Sequence, residues 1–248
     1  MNLHSRRELV FITLAGFFIT NAIVAELIGG KLFQVGPFVI NLFNEPFEIT
    51  FVQSIGIMLW PVVFLTTDLV NEYYGPKGVR RLTFLTISLI GYAFIILFIG
   101  IQVTATDFSP VSNENFQKVF GQSLWIIVGS ITAFLTSQLV DVSIFWALRN
   151  RTGKKMIWLR ATGSTVVSQL IDTFIVQGIA FVLPGVWTVN EYLKNASAGY
   201  VFKLGVAIAI TPLIYLLHYL IDGYIGKKES NDIIKHTAEE ALHHKVKE

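Results

Sequence analysis

Apolar residues in this chain fall into long blocks, without the alternation of a half-buried strand or the single stripe of a soluble helix. Six blocks can be read, at about Leu9–Gly30, Ile49–Val70, Leu82–Val103, Leu124–Leu148, Ile157–Leu183 and Ala198–Ile221. Each is near or above twenty residues, enough for a helix rising ~1.5 Å per residue to cross a hydrocarbon core about 30 Å thick. One such block suits the centre of a large soluble domain. Six in succession leave too little polar sequence to cover them. The pattern therefore predicts an all-α integral membrane protein of six transmembrane helices. The first block exceeds the roughly 7–15 apolar residues of a signal-peptide core and lacks a small-residue cleavage site, so it is expected to persist as a helix.

Between the blocks the connections are short. "KLFQVGPFVINLFNEPFEIT" is apolar and aromatic and is expected at the membrane interface as a short hairpin turning at "VGP". "TATDFSPVSNENFQKVFGQ" is polar and expected to be exposed. Residues 1–225 read as one transport-sized membrane domain, and 226–248 as a charged tail that either forms a helix or stays disordered.

Charge placement tests the helix count. Fifteen of the nineteen Lys and Arg residues sit at alternate block ends: Arg6 and Arg7; Lys77, Arg80 and Arg81; Arg149, Arg151, Lys154, Lys155 and Arg160; then Lys227, Lys228, Lys235, Lys245 and Lys247. The opposite ends hold Lys31, Lys118 and Lys194, and Lys203 lies within the last block. Retention of basic residues on the cytoplasmic side then places both termini in the cytoplasm. Charged residues make up 15% of the chain, against about a quarter in soluble domains. The net charge of +2 is accounted for by these flanks and implies no nucleic-acid partner, and the absence of Cys excludes disulfides. The adjacent His243 and His244 read as a solvated surface pair, and no cofactor or metal is called for.

Against this apolar background, six acids stand in or beside the blocks: Glu26, Asp68, Glu72, Asp141, Asp172 and Asp222, with Asp68, Asp141 and Asp172 the deepest. A carboxylate at mid-membrane costs about 2.5–3.5 kcal/mol on insertion scales, so it faces the bundle interior or a wet path. Two of the acids share a phrase, "SQLVD" at Ser137–Asp141 and "SQLID" at Ser168–Asp172. In each, Gln and Asp are three apart and Ser and Asp four apart, so all three lie on one helical face. A carboxylate, an amide and a hydroxyl together match the edge of a flat, nitrogen-rich ring. Sugars would suit the same groups, and Gln and Ser also serve simply to join helices. The repeated phrase on antiparallel helices further hints at inverted-repeat construction.

Lys203 either snorkels outward or pairs with Asp172 or Glu26. Asp68 and Glu72 are four apart and stack on one face, either as a site or as an interfacial cap neutralised by Arg80 and Arg81. Pro61 and Pro212 each remove a helical hydrogen bond and are expected to kink their helices toward a cavity. Phe145, Phe174, Tyr200 and Phe202 are the aromatic candidates for stacking on a planar ligand. His218 is the one intramembrane His and has no partner of catalytic type, which argues against an enzyme.

At "TDLVNEYYGPKGVRR", followed by "SQLVDVSIFWALR" and "STVVSQLIDTFIV", the chain resembles the queuosine precursor transporters of the vitamin uptake transporter family. The resemblance spans about Asn21 to Pro212. It rests on Asn21, Pro61, Asp68, Gly75, Arg80, Arg81, Gln138 with Asp141 and Phe145, Ser164 and Thr165 with Asp172, and Lys203 with Pro212. It implies a non-enzymatic importer of 7-deazaguanines such as 7-cyano-7-deazaguanine or its aminomethyl relative. The substrate-binding candidates are then Asn21, Asp68, Glu72, Gln138, Asp141, Gln169, Asp172 and Lys203. "GPKGVRR" lacks the Gly spacing of a nucleotide loop, so energy comes from a gradient, a partner or downstream trapping. The alternative is a substrate-capture subunit of an ATP-driven importer, for which Ala15, Ala22 and Ala25 offer only a weak docking face. Besides the deazapurine and the bilayer, a second copy of the chain is a plausible partner.

Overall fold

A computed structural model describes residues 3–42, 45–152 and 156–245. Lys154, Lys155 and Lys247 of the basic flanks lie outside these residues, as do the side chains of His243, His244 and Lys245. The chain begins with α1 (Leu3–Ile28), followed by an antiparallel hairpin of β1 (Leu32–Leu42) and β2 (Glu45–Ser54) and a 3₁₀ turn at Ile55–Met58. Then come α2 (Trp60–Gln102), α3 (Asn113–Phe120), α4 (Leu124–Thr152) and α5 (Ile157–Gln177), the last continuing through a π turn at Gly178–Val182. α6 (Val189–Ile225) and α7 (Lys227–Lys245) complete the described residues.

Among the described residues, five helical stretches are long and apolar enough to cross a membrane: Arg6–Ile28, Ile55–Gln102, Asn113–Thr152, Trp158–Val182 and Val189–Ile225. Their outward faces are greasy. Tyr92, Ile95, Phe98, Ile208 and Leu220 are each more than half exposed, a distribution that only a lipid surround makes favourable.

The second stretch accounts for two of the six apolar blocks. A straight helix of 43 residues would be about 65 Å long, twice a bilayer core. Gly75 breaks it, with φ 72° and ψ −176°, and Pro76 opens the limb that follows. Contacts along α1 show that the chain doubles back there. At one end Arg7 donates to the Tyr73 carbonyl at 3.3 Å, while at the other a Cβ on Gly56 would strike the Ala25 carbonyl, so residues 60–74 run antiparallel to α1. Beyond the break, Gly100 packs on Phe116 of α3, and Gln122 donates to the Glu26 carbonyl at 2.7 Å. The second limb has thus returned to the end of the bundle that carries the β-hairpin.

Three expectations from the sequence need correction. Ile49–Ser54 belongs to β2, not to a helix: a run of β-branched and aromatic residues is as apolar as a helix, and hydropathy alone does not distinguish the two. The all-α expectation is amended to that extent. The hairpin itself forms, but Leu42 pairs with Glu45, and Val35-Gly36-Pro37 is a register irregularity within β1 rather than its turn. Pro61 does not kink a helix. It sits in the first turn of α2, where its missing N–H has no partner to lose. Pro212 is inside α6 as expected. That helix starts nine residues before Ala198, because Thr188 and Glu191 form a reciprocal cap on its first turn.

Candidate functional site

α4 and α5 lie antiparallel and in close register, and the two repeated phrases meet at their crossing. Ser168 donates to Asp141 Oδ1 at 3.0 Å, and Ser137 reaches Asp172 Oδ1 at a longer 3.5 Å. Each phrase thus supplies the hydroxyl for the other's carboxylate, a local two-fold relation. The register continues both ways: a Cβ on Gly129 would meet Val176 and Ala180 at one end, and Arg149 and Arg160 converge on Glu72 at the other.

The two phrases are used differently. Gln138 on α4 is satisfied, since its amide exchanges contacts of 3.3 Å with the Thr67 hydroxyl of α2. Gln169 on α5 is buried at 2% exposure with both amide atoms unpartnered. It faces a hollow of about 570 Å³, mouth included, between α2, α5 and α6. Three helical faces line that hollow. α2 contributes Trp60, Phe64 and Asp68 at successive four-residue steps, α5 contributes Thr165 and Gln169, and α6 contributes Lys203. Asp68 is 5% exposed and its Oδ1 has no partner. Trp60 and Phe64 stack on one another at 5.9 Å with an interplanar angle of 22°. The hollow therefore combines an apolar lining, an aromatic pair and two buried polar side chains with unpartnered atoms. Buried groups of this kind cost roughly 1–3 kcal/mol each unless something enters to satisfy them.

Lys203 Nζ donates to Asp172 Oδ2 at 2.7 Å, with both side chains about 15% exposed. Its partner is thus one of the two acids considered from the sequence. Glu26, the other, accepts instead from Ser130 on α4. Asp141 and Asp172 do not line the hollow; they are held at the helix crossing just behind it.

Glu72 is engaged within the protein. Arg160 grips it through Nε at 3.2 Å and Nη2 at 2.7 Å, and Arg149 adds a third contact at 3.4 Å. The neutralising cations come from α4 and α5, while Arg80 and Arg81 are exposed. Asn21 donates to the Phe17 carbonyl one turn back on α1 and does not line the hollow. The four aromatics expected from the sequence to stack on a ligand are also engaged elsewhere. Phe145 lies beneath the Arg160 guanidinium at 5.8 Å, Phe174 meets Tyr192 edge-on, Tyr200 donates to the Val166 carbonyl, and Phe202 packs on Phe33 and Phe51 of the hairpin. The aromatic residues that do line the hollow are Trp60 and Phe64, and their four-residue steps to Asp68 are a signal the sequence does carry.

Below the hollow, Tyr73 donates to Asp222 Oδ1 at 2.7 Å and lies 2.9 Å from His218 Nδ1. Ser230 of α7 reaches the same carboxylate oxygen. Thr237 donates to the Tyr73 carbonyl at 3.3 Å, and Arg149 to the Ile234 carbonyl at 2.9 Å. The charged tail is thus a helix packed across this end of the bundle.

A lipid-embedded helical bundle with a partly unsatisfied polar hollow beside a broken helix has the build of a small-molecule transporter. The chain belongs to the family described as "Putative vitamin uptake transporter", whose model matches residues 54–217, a segment that contains every hollow-lining residue named above but not Asn21. It is 31% identical over 170 residues, 68% of its length and 72% of the relative's, to a "Probable queuosine precursor transporter" of Bacillus subtilis (strain 168). It is 26% identical over 180 residues, 71% and 78% of the two chains, to the "Queuosine precursor transporter" of Escherichia coli (strain K12). A "Probable queuosine precursor transporter" of Haemophilus influenzae is 24% identical over 66% of this chain and 67% of its own. No solved structure matches.

Proposed function

We propose that this chain imports a 7-deazaguanine, and that the ligand's edge is read in the hollow between α2, α5 and α6. One observation carries the reading: Asp68 and Gln169 present unpartnered polar atoms to a single hollow walled by Trp60 and Phe64. A guanine-like edge offers what they lack. Its ring N–H and exocyclic amine suit the Asp68 carboxylate, its carbonyl suits the Gln169 amide donor, and its flat face suits the aromatic wall. Asp141, Asp172 and Gln138 hold the wall in register behind the ligand, and Glu72 with its two arginines seals the hollow below. In this reading the two limbs of α2 cross the bilayer separately, giving six crossings with both termini cytoplasmic. Residues 1–225 then form the transport domain, with 226–248 as the tail beneath it.

The names of the relatives support the substrate class, and the donor–acceptor match supports the orientation. Purified protein in liposomes is expected to accumulate labelled 7-cyano-7-deazaguanine, with Asp68→Asn and Gln169→Leu losing most uptake while inserting normally. Transport that appears only with an added ATPase module would make the chain a substrate-capture subunit. Wild-type uptake by both variants would remove the hollow from the pathway.

A further inference from the structure

Taking the hollow as the substrate site, we infer that the Lys203–Asp172 pair is its charge selector and favours a neutral deazaguanine over one that bears an ammonium group. Lys203 lines the hollow, and its ammonium lies 2.7 Å from Asp172 Oδ2. The pair is exposed enough to be felt by anything that enters, yet buried enough that water screens it weakly. On the opposite wall Asp68 carries the one bare carboxylate oxygen among the described lining residues. Glu72 is occupied by Arg160 and Arg149, and Glu26, which interacts electrostatically with both members of the pair, is engaged by Ser130. The wall that meets a ligand therefore has one free carboxylate, matched to ring N–H donors, while the second, Asp172, lies just behind Lys203 and is cancelled by it.

An ammonium arm seeks the same carboxylate that Lys203 already holds. To use Asp172 it must displace a covalently tethered cation. If it does not, it lies beside a like charge. A nitrile arm carries no charge and meets neither obstacle. Lys203 thus acts on the choice between ligands, and its position on α6 opposite α5 is the physical origin of that choice. Asp172 sets the sign: with Lys203 it forms a pair of no net charge, and alone it would be a second cation site.

The test is competitive uptake of neutral 7-cyano-7-deazaguanine and its ammonium-bearing aminomethyl relative into liposomes, reported as the ratio of the two rates. In Lys203→Met, Asp172 loses its partner, and the ratio should move toward the ammonium-bearing ligand by roughly ten- to thirtyfold. That is the size expected for one unit charge at about 8 Å and an effective dielectric of about 20. In Asp172→Asn, Lys203 is left as a bare cation and the ratio should move the other way. The double variant removes both charges and should return close to the wild-type ratio. A merely structural pair would slow both ligands equally and leave the ratio unchanged in all three, which would overturn the inference. If Lys203→Met does not insert, the opposite shift in Asp172→Asn, with Lys203→Arg unchanged, decides the matter alone. Failure of the wild-type protein to take up either ligand would instead overturn the substrate reading on which this one rests.

Discussion

Gln169→Leu separates recognition from stability. The wild-type side chain is buried with two unpartnered amide atoms. An unsatisfied buried polar group costs about 1–3 kcal/mol, and replacing it by an apolar group of similar volume is neutral or stabilising. The gain runs from near zero, where water in the hollow serves the amide, to about 2 kcal/mol, so the melting temperature of the detergent-solubilised protein should stay level or rise by a few degrees. Uptake should collapse. The ligand carbonyl, buried without the Gln169 donor, then costs about 1–3 kcal/mol, which is roughly five- to 150-fold in affinity. Gln138→Leu is the internal control, because the same residue type in the same phrase is bonded to Thr67. It removes the interhelical contact of the buried Thr67 hydroxyl, which keeps its bond to the Val63 carbonyl at 2.9 Å, and should lower stability by about 1 kcal/mol. Thermal unfolding and liposome uptake on both variants give four numbers. A Gln169→Leu protein that melts well below wild type, or that transports normally, would refute the reasoning.

Removing one partner from the Glu72 cluster leaves a buried charge uncompensated, so Glu72→Gln or Arg160→Met should cost about 3–5 kcal/mol and show as a large fall in melting temperature; a change below about 1 kcal/mol would mean the cluster is solvated. Gly75→Ala forces a Cβ to within 2.8 Å of Thr237 Cγ2 at a φ of 72°, and should cost about 1–2 kcal/mol and make α7 more sensitive to limited proteolysis. Because the chain has no Cys, single cysteines report topology directly. One at Lys77 or Arg81 should react with an impermeant thiol reagent only from the cytoplasmic face, and one at Ser112 only from the opposite face. An unreactive residue 81 would mean that α2 does not break between two crossings.

The membrane-spanning character was legible because apolar runs near twenty residues recur along the chain. The sequence separated the two blocks that flank Gly75-Pro76, and the structure joins them through a break at that pair within a single helical stretch of 43 residues. Hydropathy could not separate β2 from the block that follows it, because Ile49, Phe51 and Val52 are as apolar as any helix. Within the site, the sequence pointed to Lys203 with Asp172 and to the two phrases, but not to their unequal use. Whether Gln138 or Gln169 is free depends on Thr67 standing opposite one and nothing opposite the other, and that is a property of packing. The engagement of Glu72 by two arginines was hidden for the same reason. Arg149 and Arg160 are 77 and 88 positions away, and only the crossing of α4 and α5 brings them to it.

The contact between Thr237 and the Tyr73 carbonyl spans 164 positions, and this separation is also a delay. At about 5–20 residues per second of synthesis, the carbonyl waits roughly ten to thirty seconds before its partner has even been made. During that interval the underside of the growing bundle is open beside the bend at Gly75, and the hollow has one wall fewer because α6 is also missing. A nascent chain stalled in this window would expose Asp68, Gln169 and the Tyr73 hydroxyl together, so translation pausing or a late truncation should be felt first as loss of the closure by α7 rather than as failure of the early helices to insert.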